Sequence, residues 1–75
     1  MVHVAARRWT STRARWVLAA LVRIGWRVAR QKGSHRILVR DGDRPVTFAF
    51  HDRETIGPAM LAKIAKETGL RPEDL

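Results

Sequence analysis

The chain has 75 residues, no cysteine, 45% hydrophobic side chains and 15 Lys+Arg against 7 Asp+Glu, for a formal charge of +8 at pH 7. That length suits one small domain burying about 60% of its unfolded surface, which excludes a multidomain enzyme. The missing cysteines exclude disulfide staples, thiolate nucleophiles and Cys-based metal sites, and suit a reducing, cytoplasmic setting.

Residues 1–8 are basic and are expected to form a mobile leader, with His3 incidental to it, ahead of a single domain over residues 9–75. No run approaches the roughly 20 apolar residues of a membrane span, and no uninterrupted apolar stretch has the length of a secretory signal core. Thr10, Ser11 and Thr12 offer N-cap hydroxyls and Gly25 a stop, which predicts a helix between them. On it Ala14, Val17, Leu18, Leu21, Val22 and Gly25 fall within an arc of roughly 140°, the expected buried stripe, with Trp16 and Arg23 opposite. After Gly25 the period drops to two, so Trp26, Val28 and Arg30 alternate with Arg27, Ala29 and Gln31 as in a strand.

Lys32, Gly33 and Ser34 predict a turn, and residues 35–40 a second strand with Ile37 and Val39 on one side and Arg36, Leu38 and Arg40 on the other. Asp41, Gly42 and Asp43 make the next turn, and a third strand follows Pro45 through Val46, Phe48 and Phe50. A polar connection from His51 leads to a second helix entered at Pro58, with Met60, Leu61, Ile64, Ala65 and Thr68 on its inner face. Gly69 caps it, Leu70 packs back on its last turn, and one further turn starts at Pro72. The fold class is therefore α+β in two layers: helix, three-stranded antiparallel meander, helix, with both helices on one sheet face and the other face open.

Charge is distributed unevenly. Residues 1–40 hold ten basic and no acidic side chains, whereas residues 41–75 hold five and seven. Such a field concentrates polyanions, and the strand arginines turn the open face into a basic platform suited to nucleic acid. The segment Gln31, Lys32, Gly33, Ser34, His35 carries the chemistry. A histidine at a strand edge works as general acid or base near neutral pH, and RNA brings its own nucleophile in the ribose 2′-hydroxyl. His35 is thus the catalytic candidate, with His51 as a possible second acid/base. Lys32, Arg36 and Arg40, joined by Arg27 and Arg30, are expected to hold phosphate. Three histidines without clustered carboxylates give no reason to expect a metal, and no cofactor is expected. Trp9, Trp16 and Trp26 sit among arginines; Trp26 is expected in the core, and Trp16 on the surface, where an unpaired base can stack.

The stretches GWRVARQKGSHRILVRDG and VTFAFHDRETIGPAMLAKIAKETGL resemble the HicA family of toxins. The markers are Gly-Trp before the first strand, Gly-Ser-His at the second and Ile-Gly-Pro opening the second helix, and the likeness covers residues 9–75. The resemblance implies a fold similar to a double-stranded RNA-binding domain and the activity of an mRNA interferase, a metal-independent endoribonuclease of a type II toxin–antitoxin system with a role in stress response. It implies neutralisation by a HicB-like antitoxin, and it maps the family's catalytic histidine onto His35. Many relatives have a second histidine directly afterwards, where this chain has Arg36. The competing reading is a catalytically silent module of the same fold that sequesters RNA.

Overall fold

The computed structural model describes residues 8–75; the expected leader and His3 lie outside the described residues, apart from Arg8. The elements run β1 (Thr12–Arg13), α1 (Ala14–Arg23), β2 (Arg27–Lys32), β3 (His35–Val39), β4 (Val46–Ala49), β5 (Thr55–Ile56), α2 (Pro58–Thr68) and a 3₁₀ turn at Pro72–Asp74. The expected order of helix, meander and helix is present, with β2, β3 and β4 forming an antiparallel sheet in that spatial order. The short pair of β1 and β5, antiparallel and two residues each, was not foreseen. Strands so short carry no periodicity by which a sequence reveals them. No described helix is long and apolar enough to cross a membrane.

The β1–β5 pair changes how α1 begins. Its N-cap position is Arg13, which makes no side-chain cap, and the Thr12 hydroxyl donates instead to the Thr10 carbonyl. The orphan N–H groups of Ala14 and Arg15 donate to the carbonyls of Glu54 and Asp52, at 2.7 and 3.2 Å. Loop carbonyls thus replace the expected Thr/Ser cap and meet the same need for acceptors at a helix start. The buried stripe of α1 is also rotated: Ala14, Val17, Ala20 and Leu21 are fully buried, while Val22 is 52% exposed. Ala20 thus takes a place on the buried stripe, and Val22 faces outward.

α2 starts with Pro58 at its first turn and ends on Gly69 in the left-handed conformation, as expected. Leu61, Ile64 and Thr68 face the core, and Met60 lies outside it at 39% exposure. Leu61 and Ile64 join the buried stripe of α1 and Trp26, Leu38, Val46, Phe48, Ile56 and Leu70 in one cluster, so both helices share a core with a single face of the sheet. Polar groups inside it are paired. The Trp26 Nε1–H donates to the Thr68 carbonyl at 3.0 Å, and the Thr68 hydroxyl donates to the Ile64 carbonyl while accepting from the Leu70 N–H.

Candidate nucleic-acid interface

Strand parity sorts the side chains of the sheet into two sets. Leu38 pairs with Val46 and Val28, and Arg36 pairs with the buried Phe48, so these residues belong to the helix-facing side. His35, Ile37 and Val39 alternate with them and occupy the open side together with Thr47 and Ala49. Simple alternation from Trp26 would send Arg30 to the helix side. A β-bulge between Val28 and Arg30 intervenes: Arg27 pairs with Val39, Val28 with Leu38, Arg30 with Ile37 and Lys32 with His35. Ala29 is the extra residue, and past it the side chains change faces. Arg27, Arg30 and Lys32 therefore all share the face of His35. At about 3.3 Å per residue, the pairing places them roughly 7 Å apart in a row along the outermost strand.

His35 follows a two-residue turn, Gly33–Ser34, in which Gly33 has φ +60° and Ser34 does not adopt positive φ. Glycine at the first central position is the signature of a type II′ hairpin, whose twist matches the strands it joins. The Gln31 Nε2 donates to the Gly33 carbonyl at 3.2 Å and steadies that turn. Beside it is a depression of about 250 Å³ lined by Arg30, Gln31, Lys32, His35 and Ile37. His35 is exposed, and among the described residues its ring has no hydrogen-bond or ion-pair partner. Nor have the side chains of Arg27, Arg30 and Lys32, and none of the open-face residues is a carboxylate.

The other two cations expected to hold phosphate are elsewhere. Arg36 is on the helix side, where its side chain is 12% exposed, donates to the Phe50 carbonyl at 3.3 Å and pairs with Asp52 at 3.0 Å. The Arg40 guanidinium lies 4.6 Å from the centroid of the buried Trp26 ring, donates to the Ile24 carbonyl at 3.0 Å and pairs with Asp43 at 2.8 Å. Both are tied into the fold, so the cations on the side of His35 are Arg27, Arg30 and Lys32. His51 lies at the same end of the sheet, two residues past the partner of His35, but opens onto a different depression of about 380 Å³ with Gly33, Ser34, Arg36 and Arg53 among its walls. Its backbone N–H is held by the Glu54 carboxylate at 3.2 Å. The structure thus puts the two histidines on either side of the Gly33–Ser34 turn rather than in one cavity.

Sequence reasoning singled out the segment that holds Gln31 but missed Ile37 as a wall of the His35 depression. The alternation of β3 does signal Ile37, whereas nothing in the residue order marks the bulge that brings Arg30 there.

A family model described as the HicA toxin of bacterial toxin–antitoxin matches residues 14–70. The chain belongs to the HicA toxin family. The matched span begins with the first residue of α1, takes in the whole cationic row and His35, and closes on the core residue Leu70. Membership makes the chain a toxin of a toxin–antitoxin system and implies an antitoxin partner. Neither the curated proteins nor the solved structures gave a match.

Proposed function

We propose that the chain is a metal-independent endoribonuclease, an mRNA interferase, with His35 as its general base. The observation that carries this reading is an exposed imidazole on a carboxylate-free sheet face, in line with Arg27, Arg30 and Lys32. An RNA strand laid along β2 has its phosphates on the cations, and the ribose next to His35 gives up its 2′-hydroxyl proton to the imidazole. The 2′-oxygen then bonds to the adjacent phosphorus, the bond to the 5′-oxygen breaks, and that oxygen leaves with a proton from solvent. The products are a 2′,3′-cyclic phosphate and a 5′-hydroxyl end. Lys32 and Arg30 line the same depression as His35 and neutralise the charge that builds on the phosphorane oxygens.

A HicB-like antitoxin neutralises such an enzyme most directly by covering this face. A partner surface rich in Asp and Glu complements the row, and seating it there excludes RNA by charge and bulk together.

The deciding measurement is incubation of the purified protein with labelled RNA in EDTA beside the His35→Ala variant. Cleavage by the parent and none by the variant, with matching circular dichroism spectra, is the expected result. Equal cleavage by a folded His35→Ala protein removes the histidine from the mechanism. Growth inhibition that survives the substitution points to RNA sequestration instead.

A further inference from the structure

The outer side of α1, the segment leading into it and the C-terminal 3₁₀ turn enclose a groove of about 650 Å³ that shares no residue with the His35 depression. Trp9, Trp16, Pro72 and Leu75 supply its apolar walls, and Arg8 and Arg23 its charge. We propose that this groove is a second RNA contact, which stacks an unpaired base on Trp16 and holds the flanking phosphates with Arg23 and its neighbouring arginines.

Trp16 is 57% exposed, while Trp9 is partly buried against the core and forms the other aromatic wall. The Arg15 guanidinium lies 5.1 Å from the Trp16 ring centroid, adding a cation to one side of the indole. Arg23 is anchored by a 2.6 Å hydrogen bond from Nη2 to the Asp74 carbonyl, so its remaining donors are presented in a fixed direction. Among the described residues no acidic side chain lines the groove, and the nearby Asp74 carboxylate is turned to Arg71, accepting its backbone N–H at 2.8 Å.

An aromatic face flanked by uncompensated arginines matches what single-stranded nucleic acid presents, a π-surface and a phosphate in alternation. A base within a duplex already has both faces covered and gains nothing from Trp16. An acidic protein segment would satisfy the arginines but leave the indole without a planar partner. Arg8, Trp9, Pro72 and Leu75 fall outside the span matched by the family model, so much of the groove is built from residues that the match does not include. The choice of RNA over DNA rests on the proposed function; the stacking contact itself does not.

The test uses a 2′-O-methyl oligonucleotide of twelve adenylates, which lacks the nucleophile and stays intact whether or not His35 is catalytic. Binding is followed by tryptophan fluorescence and by anisotropy of a labelled strand. Trp16→Ala is expected to weaken binding roughly five- to a hundred-fold, and Trp16→Phe to retain most of the affinity while losing most of the quenching. Arg23→Ala is expected to lower the salt dependence of binding. Unchanged affinity in Trp16→Ala overturns the proposal, as does equal binding of the same strand in a duplex. A change in sedimentation mass on Trp16→Ala without a change in RNA affinity also overturns it, and identifies the groove as a contact between copies. Cleavage plays no part in the readout, so this result and the His35→Ala result fail separately.

Discussion

Arg30 and Arg36 show how far one residue type can be split by its surroundings. Arg30 is exposed, has no ion-pair partner among the described residues and lines the His35 depression; Arg36 is mostly buried and spends its donors on Phe50 and Asp52. Arg30→Ala is therefore expected to change stability by no more than about 0.5 kcal/mol while weakening RNA binding. Arg36→Ala is expected to cost about 1 kcal/mol, toward the low side for a charged hydrogen bond because Asp52 is 59% exposed and screened by solvent. Urea titration beside RNA-binding anisotropy separates the two effects, and a reversed pattern contradicts the assignment of faces. At this scale the core position of Trp26 was legible from its place beside a strand, and the exposed strand-edge position of His35 from the turn before it. The alternation rightly grouped Arg36 and Arg40 with Leu38, but it did not show that this side is the one covered by the helices, so both were placed on the platform.

Among the elements, the bulge in β2 had the largest effect on reading the site. A period of two predicts faces reliably until one extra residue intervenes, after which every later side chain is reversed. The turns were more readable, since glycines at 25, 33, 42 and 69 all have positive φ where a reversal or helix end was expected. They differ in what surrounds them. A Cβ built on Gly25, at φ +105°, meets the Arg40 Cδ at 3.2 Å, whereas one on Gly33 meets nothing within 4 Å. Gly25→Ala adds pressure on the arginine that covers Trp26 to the backbone strain, for an expected loss of about 1–3 kcal/mol. Gly33→Ala is expected to cost less, from strain alone. Thermal or urea unfolding of the pair checks the order, and a Gly33 variant as unstable as the Gly25 variant shows that Arg40 moves aside freely.

For the molecule as a whole, the fold class was legible because the switch from helical to alternating periodicity, and back, is clear, and because two apolar helix faces require a sheet face to cover. The β1–β5 pair and the capping of α1 by the carbonyls of Asp52 and Glu54 were not, since both depend on contacts between segments about forty residues apart. The asymmetry of charge also acts at this scale. Binding of an unstructured RNA to the His35→Ala protein is expected to weaken linearly on a logarithmic salt axis. With single strands releasing about 0.7 counterion per neutralised phosphate, replacing Arg27, Arg30 and Lys32 together by alanine is expected to flatten that slope by about 2. An unaltered slope in the triple variant places the phosphates elsewhere.

The strand that carries the cationic row also ends the sheet, and all six of its residues are exposed. Unpaired amides along such a margin ordinarily invite another chain to zip on and begin a filament. Here two β2 strands brought edge to edge would set guanidinium and ammonium groups against their own kind, and the kink at Ala29 would spoil the ladder between them. The features that suit β2 to a polyanion thus also oppose its pairing with the same strand of a second copy.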